Sequence, residues 1–335
     1  MSTPDLHAGH EAAERALAAA RLPHMGVLRF AGPDAIGFLQ GQVSNDTQRL
    51  AAGEPLLAAY SSAQGRVIAV LHLLPHSSGV IALLPRDVLG ATCERLRKFV
   101  LRAKVKIEDV SDRLTVIGVR DAAALAAAGL EPPGARKYLE RDGLGVARVG
   151  PAAPQSRRFW VIAAASLPLT PADPSIESAW RLADIREGLP TVYAATSEAF
   201  VAQMLNLDLI DGISFSKGCY TGQEIIARTQ HLGRIKRRMF RLWLSPGDWA
   251  IGGSVRLADG RAGRLVELAP SQAPEEAGPG NARVRDAQSA EARCAEALAV
   301  LNLEPDARTE GGPTESPLEA ASLLPLPYSP RLDAA

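Results

Sequence analysis

The sequence predicts an α+β fold that ends in a small β-domain, and three observations lead to this prediction. The 335 residues are 47% hydrophobic and 22% charged, the composition of a globular protein with a large core. Two successive groups of strand-like runs carry amphipathic helices, which indicates two α+β units and hints at a structural duplication. Short strands with many Gly and Pro turns follow residue 235, the pattern of a small β-barrel.

Residues 1–22 are expected to form an N-terminal extension, in which alanines between Glu11 and Leu22 favour a short helix. Asp5, Glu11 and Glu14 interrupt this region, so it lacks both the apolar core of a secretory signal and the acid-poor composition of a transit peptide. No apolar run reaches the about 18 residues that a membrane span needs. We therefore expect a cytoplasmic protein without membrane contact.

The first α+β unit is expected at residues 23–104. Pro33 suits the first position of a helix, and the spacing of Leu89, Cys93 and Leu96 predicts a helix that buries Cys93. The predicted strands are residues 26–30, 56–60, 66–74 and 80–84, and the predicted helices begin at residue 32 and span residues 87–102.

The second α+β unit is expected at residues 105–234, followed by the β-barrel at 235–304 and a tail at 305–335. The tail is rich in proline, glycine and acidic residues, which predicts disorder. The predicted elements are strands at 105–109, 114–119, 159–164, 235–244 and 297–303, helices at 121–130 and 176–187, and an exposed loop at 270–290.

The segment 217–224, Lys-Gly-Cys-Tyr-Thr-Gly-Gln-Glu, carries the strongest chemical signal. Thr221 and Glu224 have the spacing of a capping box, which predicts a helix that starts just after Cys219. Unpaired N–H groups at a helix start, together with the cation of Lys217, favour the thiolate form of a cysteine. Cys219 is therefore predicted to be a nucleophile or a soft metal ligand, with Lys217 as its partner. The alternative is a buried cysteine in a tight turn.

Two glycines of this segment, Gly218 and Gly222, are expected to allow a sharp turn or a close approach to a ligand. The chain has three cysteines, Cys93, Cys219 and Cys294, which lie far apart in the sequence. This number is too small for a disulfide framework or for a metal site built by this chain alone.

The segment 217–224 resembles the signature Lys-Gly-Cys-Tyr/Phe-x-Gly-Gln-Glu of the YgfZ family of folate-binding proteins. These proteins are relatives of the glycine-cleavage T protein and of the mitochondrial Iba-type iron–sulfur assembly factors. Further similar segments occur in the expected order, at residues 38–46, 62–66, 186–190 and 203–208. The resemblance implies a T-protein-like ring of three domains around a folate-sized cleft, with tetrahydrofolate or another reduced folate as the cofactor.

Trp180 falls where the resemblance implies a folate-facing tryptophan, and Met25 falls where some relatives have a second one. A flat pterin suits an aromatic face and a few carboxamide groups. The alternative for Trp180 is a place in the core, because Ile176, Trp180 and Ala183 share one face of the predicted helix.

Four polar residues at the end of the first helix are further candidates for reading the edge of a pterin: Gln40, Gln42, Asn45 and Asp46. Their alternative is capping and hydrogen bonding within the loop. The signature also makes Tyr220, Gln223 and Glu224 candidates for folate contact.

Six cations lie in the fourteen residues 228–241. Arg228 is the one predicted to bind the glutamate carboxylates of a folate, and the alternatives for this group are an RNA-binding patch or a solvated strand face. His231 is more than two helical turns from Cys219, so it is expected to be a surface residue rather than a base for the thiol.

Three functions compete on this sequence. The resemblance favours a tetrahydrofolate-binding factor that supports iron–sulfur enzymes through Cys219, with transient contacts to client or assembly proteins. The alternatives are a one-carbon transferase like the T protein and a folate-free adaptor. Asp87 comes too early to match the transferases' aspartate with confidence, so classical enzyme activity is not expected. With 37 cationic and 37 acidic residues, nucleic acid is an unlikely partner.

Overall fold

The computed structural model describes residues 19–150, 156–166, 174–231, 235–271, 294–305 and 321–330. Within these ranges fifteen strands form three antiparallel sheets of five strands each. No helix in these ranges is both long and apolar enough to cross a membrane. The predicted α+β class is confirmed for this part of the chain.

The strands have the following bounds in chain order: β1 Ala19–Arg21, β2 Met25–Ala31, β3 Leu56–Ser61, β4 Val67–His76, β5 Gly79–Pro85, β6 Lys106–Asp109, β7 Leu114–Val119, β8 Tyr138–Arg141, β9 Leu144–Arg148, β10 Phe159–Ala164, β11 Arg237–Leu244, β12 Ser254–Arg256, β13 Ala262–Pro270, β14 Ala295–Asn302 and β15 Ala321–Leu324. The α-helices are α1 Ala35–Gln40, α2 Arg86–Arg97, α3 Ala122–Ala127, α4 Pro174–Glu187 and α5 Gln223–His231, and 3₁₀ helices span Thr47–Ala52 and Ala202–Leu205.

The first sheet has the order β3-β4-β5-β2-β6 and carries α1 and α2. Strands β3, β4 and β5 are almost entirely buried, in agreement with their continuous apolar sequence. Helix α2 places Val88, Leu89, Cys93 and Leu96 in the core, so the predicted burial of Cys93 is confirmed.

The second sheet has the order β1-β7-β10-β9-β8, and two strands cross the boundary that the sequence predicts between the first two units. Strand β6, predicted in the second unit, pairs with β2 of the first sheet. Strand β1, which the sequence places in a helical extension, pairs with β7 of the second sheet. The helix prediction is wrong at residues 19–21, because pairing with β7 outweighs intrinsic propensity even for alanine, the strongest helix former. Residues 1–18 lie outside the described ranges.

The third sheet has the order β12-β13-β14-β11-β15. The predicted C-terminal β-domain is therefore present as a five-stranded sheet, and its closure into a barrel stays a prediction. The predicted loop at 270–290 lies almost wholly outside the described residues.

The predicted disorder of the tail is wrong at residues 321–330. Strand β15 pairs with the edge of β11, and the Tyr328 hydroxyl donates a hydrogen bond of 2.8 Å to the carbonyl of Gly188. Gly188 has φ +68°, and a side chain there would collide with the Tyr328 ring. The average composition of the tail misses this anchor, because residues 321–330 contain three leucines and no charged residue and are held by the partly buried Tyr328 and four paired residues. Residues 306–320 and 331–335 lie outside the described part.

Helix α4 connects the second and third sheets through ion pairs. Arg181 binds Glu267 on β13 at 2.5 Å, and Arg186 binds Glu296 on β14 at 2.9 Å. Both carboxylates are buried, 1% and 6% exposed. Buried charges need such partners, so these pairs hold α4 against the third sheet.

Candidate functional site

Cys219 lies on an exposed loop between the 3₁₀ helix Ala202–Leu205 and α5. Its side chain is exposed and free, whereas Cys93 is buried and Cys294 is intermediate. The structure thus does not support the alternative of a buried cysteine in a tight turn. Cys219 is open to a partner or a small molecule from solvent.

Lys217 ties this loop to the first unit of the fold. Its Nζ donates hydrogen bonds to the carbonyl oxygens of Gln40, Val43 and Asn45 at 2.6, 2.8 and 2.9 Å. The side chain is buried, and burial lowers its pKa to about 8, while Asp46 acts in the opposite direction. All three ammonium protons thus have carbonyl partners at the end of α1. The predicted partnership with Cys219 has no support in these contacts, which make Lys217 an anchor.

Gly222 allows a close contact between two backbones. It has φ +81°, and a Cβ there would lie 2.5 Å from the carbonyl oxygen of Ser62 and 3.0 Å from the Cα of Gly65. The predicted close approach therefore exists at Gly222, but its neighbour is the β3–β4 hairpin. A Cβ at Gly218 would meet nothing within 4 Å, so no neighbouring protein group requires glycine there, and its close approach to a ligand stays a prediction.

The predicted capping box of Thr221 and Glu224 is wrong. Helix α5 begins at Gln223, whose Oε1 accepts a hydrogen bond from the backbone N–H of Tyr220 at 3.3 Å. Glu224 instead forms a 2.8 Å ion pair with Arg228, and the two side chains are 80% and 61% exposed. Gln223 rather than Glu224 therefore reaches back to a backbone N–H, that of Tyr220 in the loop ahead of the helix.

Several residues predicted to contact folate have partners within the protein, and their folate role stays a prediction. Glu224 and Arg228 bind one another on the surface of α5. Tyr220 is 9% exposed and lies under the Lys217 ammonium, 4.8 Å from its ring centroid. Burial raises the pKa of Tyr220 to about 12. Together with the capping contact of Gln223, these interactions hold the loop that carries Cys219.

The predicted pterin-reading cluster is also used within the protein. Gln40 donates to Asp46 at 2.9 Å and accepts from both the N–H and the hydroxyl of Thr47 at 2.8 Å. Asn45, 1% exposed, donates to the carbonyls of Leu57 and Asp211. Gln40 and Asp46 thus show the hydrogen bonding within the loop that was the alternative, and Asn45 joins the loop to distant backbone. Their role in reading a pterin stays a prediction.

Gln42 differs from its neighbours. Its Oε1 is buried and has no hydrogen-bond partner among the described residues. The structure leaves its predicted role in folate binding as a prediction.

A second polar region surrounds a small cavity where β2, β4, β10, α4 and the segment after α4 meet. The lining residues are His24, Met25, His72, Trp160, Trp180, Asp184, Leu189, Thr191 and Tyr193. The cavity measures about 10 Å³, which is room for about one water molecule. A larger ligand requires the lining side chains to move apart, and Met25 is the most flexible of them.

Three ring nitrogens at this cavity have no hydrogen-bond partner within the described ranges: Nδ1 of His24, Nδ1 of His72 and Nε1 of Trp160. The His72 and Trp160 rings meet edge to face at a centroid distance of 4.5 Å. Burial, and secondarily the charge of Arg158, lowers the pKa of His72 to about 3. Burial and Arg181 lower that of His24 to about 4. Both imidazoles are therefore neutral at physiological pH.

Trp180 lines the cavity but is only 2% exposed. The guanidinium carbon of Arg158 lies 4.5 Å from its ring centroid. A Cβ at Gly118 would lie 2.4 Å from the same ring. Protein groups cover the Trp180 ring in this arrangement, so stacking of a pterin on it requires these groups to move, and its folate role stays a prediction.

Acidic groups adjoin the cavity and are held by arginines. Arg158 binds Asp184 and Glu187, each at 2.7 Å, and the Tyr193 hydroxyl donates to Glu267 at 2.6 Å. Burial raises the pKa of Asp184 to about 6 despite Arg158, and that of Glu267 to about 7 despite Arg181. The cavity thus offers a carboxyl group that titrates near neutral pH.

The sequence prediction missed most of these lining residues, which come from distant segments. His72 is the one with a visible signal: it interrupts the apolar run of strand β4, which ends at His76. Trp160 and Tyr193 carry no local mark, because their role depends on which strands meet.

No family model matches this chain. Three curated relatives from bacteria are similar over long stretches, and each bears the name tRNA-modifying protein YgfZ. That of Serratia proteamaculans (strain 568) is 31% identical over 89% of this chain and 88% of its own length. Those of Colwellia psychrerythraea and Vibrio atlanticus are each 32% identical, over 66% and 62% of this chain and over 70% and 64% of their own lengths.

Among solved structures, the chain is similar to the glycine cleavage system aminomethyltransferase T from Bartonella henselae. The TM-score is 0.58 at 14% identity, and the match covers 85% of this chain and 78% of the other. At this identity the match shows a shared fold and leaves the activity open. The fold and the long similarity to the Serratia protein agree with the signature at Cys219: the chain belongs to the YgfZ family.

Proposed function

We propose that this protein binds a reduced folate, tetrahydrofolate or a derivative, in the central cavity. The observation that carries this proposal is the pair of unpaired ring nitrogens on His72 and Trp160 at one enclosed space, beside His24, whose Nδ1 has no hydrogen bond and lies 3.6 Å from Glu177. Buried polar atoms without partners are costly and mark places where a ligand or water supplies the missing bonds.

The chemistry of these groups fits a pterin ring, whose edge carries both donors and acceptors. The indole N–H of Trp160 is a donor, each neutral imidazole offers a donor or an acceptor, and Asp184 offers a carboxyl group. Trp160, rather than the covered Trp180, supplies the aromatic contact. When bound, a reduced folate supplies a nitrogen that carries one-carbon units or a source of reducing equivalents.

A supporting factor agrees with the structure better than a transferase. Asp87, the only aspartate near the place of the transferases' aspartate, lies in the first turn of α2, and its Oδ2 accepts a 2.9 Å hydrogen bond from the N–H of Ala194. Asp87 does not line the cavity. Cys219, in contrast, faces solvent, so its chemistry concerns a molecule that comes from outside.

The molecule served by Cys219 is a further part of the proposal. The resemblance suggests iron–sulfur clients, and one thiolate cannot hold a [4Fe–4S] cluster alone, since such clusters need about four ligands. The relatives are named for tRNA modification, which weighs against the expectation that nucleic acid is an unlikely partner. An iron–sulfur enzyme that modifies tRNA is a class of client that agrees with both the resemblance and the name of the relatives.

The folate proposal is tested by titrating the protein with tetrahydrofolate under anaerobic conditions and measuring the heat of binding by calorimetry. Trp160→Phe removes the unpaired indole N–H and should weaken binding about fivefold, the effect of one lost hydrogen bond. Trp243→Phe is the matched control, since this buried tryptophan of the third sheet also has an unpaired Nε1. No binding by the wild type at millimolar folate would favour a folate-free adaptor.

The role of the thiol is tested in cells that lack the gene. Cys219→Ala should fail to restore the activity of iron–sulfur enzymes and the modification of tRNA, while Cys294→Ala should restore both. The purified Cys219→Ala protein should still bind tetrahydrofolate, because the cavity is built from other segments. Full rescue by Cys219→Ala, or aminomethyl transfer from a lipoyl carrier by the wild type, would contradict the proposed role.

A further inference from the structure

The segment 95–106 carries the densest positive charge near the Cys219 loop. It contains six cations and no acidic residue, in a chain whose formal net charge is zero. The cations are Arg95, Arg97, Lys98, Arg102, Lys104 and Lys106. All six side chains belong to exposed residues at the end of α2, in the following loop and at the start of β6. We call residues 95–106 the basic segment.

Three of these six cations form ion pairs or hydrogen bonds with other groups of the protein. Arg95 forms an ion pair with Glu198 at 2.6 Å, Arg97 donates to the carbonyl of Ile107 at 2.8 and 3.0 Å, and Lys106 binds Glu108 at 2.8 Å.

The other three cations, Lys98, Arg102 and Lys104, form no side-chain hydrogen bond or ion pair with any residue that the structure describes. Cations in the last turn of a helix complement its dipole, which accounts for Arg95 and Arg97. It does not account for Arg102 and Lys104, which lie beyond the helix.

Two large apolar side chains are exposed within the same segment: Phe99 is 49% exposed and Leu101 is 87% exposed. Cations that contact phosphates and an aromatic ring that can stack on an unpaired base are the two components of single-stranded RNA binding. A membrane surface would also attract cations, but it needs a continuous apolar face. The apolar face of α2 is buried in the first sheet.

The position of the basic segment relates it to Cys219 through α1. At the N-terminal end of α1, the backbone N–H of Lys104 donates to Asp34 at 2.6 Å. At the C-terminal end, the carbonyl of Gln40 accepts a hydrogen bond from Lys217. The six residues of α1 span about 9 Å. The two segments therefore contact opposite ends of one short helix.

We infer that the basic segment is an RNA-binding surface, and that it holds the phosphate backbone of a tRNA close to the Cys219 loop. Lys98, Arg102 and Lys104 contact the phosphates, and Phe99 stacks on an unpaired base. This inference rests on the proposed function in taking tRNA modification as the process that the protein serves. It does not require folate binding.

The test uses the full-length protein and a fluorescent in vitro transcribed tRNA, with binding followed by anisotropy at several salt concentrations. The triple variant Lys98→Gln, Arg102→Gln, Lys104→Gln should bind at least tenfold more weakly. The plot of log affinity against log salt concentration should become shallower by about two, because each lost phosphate contact reduces the magnitude of its negative slope by about 0.7–0.9. Phe99→Ala should weaken binding about fivefold or more with an unchanged salt slope.

The matched control is the triple variant Arg141→Gln, Arg157→Gln, Arg256→Gln. It removes the same charge from exposed positions in or next to the second and third sheets, and it should bind tRNA like the wild type. Equal losses in the two triple variants, or no tRNA binding by the wild type, would overturn the inference. Binding to vesicles of anionic phospholipid but not to tRNA would also overturn it, by identifying a membrane surface.

Tetrahydrofolate binding, measured on the same samples, separates this inference from the folate proposal. The basic-segment variant should keep the folate affinity of the wild type. A protein that binds tRNA through this segment but binds no folate would refute the cavity proposal and leave the RNA surface standing.

Discussion

Two polar regions of this molecule, the loop around Cys219 and the central cavity, differ in how completely their buried groups are paired. In the loop, Lys217 contacts three carbonyls and Gln40 uses both ends of its carboxamide. At the cavity, Nδ1 of His72 and Nε1 of Trp160 have no hydrogen-bond partner within the described part of the chain, and Nδ1 of His24 lies 3.6 Å from a carboxylate oxygen of Glu177. Beside the loop the buried Oε1 of Gln42 is also unpaired. A well-paired network holds a fold together, whereas several unpaired buried groups around one space indicate a place for a ligand.

The paired groups of the loop hold Cys219 in position, whereas the unpaired groups of the cavity are available to bind a ligand. The loop holds Cys219 in place and leaves the thiol exposed. The cavity keeps its neutral histidines away from bulk water. The two regions therefore suit different partners: a macromolecule for the exposed thiol and a small heteroaromatic ligand for the cavity.

The largest expected effect tests whether Lys217 is an anchor. Lys217→Met leaves three carbonyls of the segment 40–45 without their donor, and it should lower the free energy of unfolding by about 3 kcal/mol, since each bond from a charged donor contributes about 1.5–3 kcal/mol and the effects are not additive. Urea denaturation measures this change. Lys98→Met, at an exposed position, is the control and should change stability by less than about 0.5 kcal/mol.

A different outcome would give Lys217 a role in catalysis. If Lys217→Met kept its stability while alkylation of Cys219 at neutral pH slowed, the ammonium would act on the thiol as the sequence predicts. The rate of Cys219 in the unfolded chain provides the reference, because it removes the effect of accessibility.

The next effect concerns the neutral state of His72. Its folded pKa is about 3, below the unfolded value of about 6.5, so between these pH values the unfolded chain binds more protons. Stability should therefore fall as the pH drops below 6.5, by up to about 1.4 kcal/mol per unit. His72→Phe should flatten this dependence between pH 6.5 and 4.5. Parallel curves for the two proteins would show that His72 is charged in the folded state.

Asp184 acts in the opposite direction on the same curve. Its pKa is raised to about 6 in the folded protein, so the folded state binds more protons between about pH 4 and pH 6, and stability rises there as the pH falls. Comparison of wild type with His72→Phe cancels most of this contribution, because Asp184 is present in both.

A pair of glycine variants gives the next smaller effect. Gly222→Ala should cost about 1–2 kcal/mol, because residue 222 has φ +81° and its Cβ would collide with the Ser62 carbonyl. Gly218→Ala should be nearly neutral, since a Cβ there meets nothing within 4 Å. Equal stability of the two variants would show that the contact with the β3–β4 hairpin does not hold the Cys219 loop.

The fold follows from the sequence to a large extent because its signals are local. The continuous apolar runs of the first sheet and the 3.6-residue spacing in α2 are properties of short segments. The errors occur where pairing partners are distant in sequence. Strand β6 joins the first sheet, and β1 joins the second, because of contacts with β2 and β7 that no local pattern encodes.

The sites show the same division. The eight contiguous residues 217–224 identify Cys219 as a candidate. Its exposure depends only on the loop around it, which is also a local feature. The cavity combines His24, His72, Trp160 and Tyr193 from different elements, so its composition depends on tertiary structure. Trp180 is the predicted site residue that also lines the cavity, and it was identified by resemblance. The stacking of Arg158 on its ring could not be predicted from the sequence.

The smallest effect distinguishes two ways of starting α5. If Glu224 capped the helix, Glu224→Ala would cost about 1 kcal/mol, and the loss would resist salt. In the structure Glu224 pairs with Arg228 on the surface, so its loss should cost only a few tenths of a kcal/mol at low salt and nothing measurable at 1 M salt. Gln223→Ala should cost more than Glu224→Ala, since Gln223 accepts the N–H of Tyr220. The reverse order in urea denaturation would restore the capping box predicted from the sequence and would place the thiol one residue closer to the helix start.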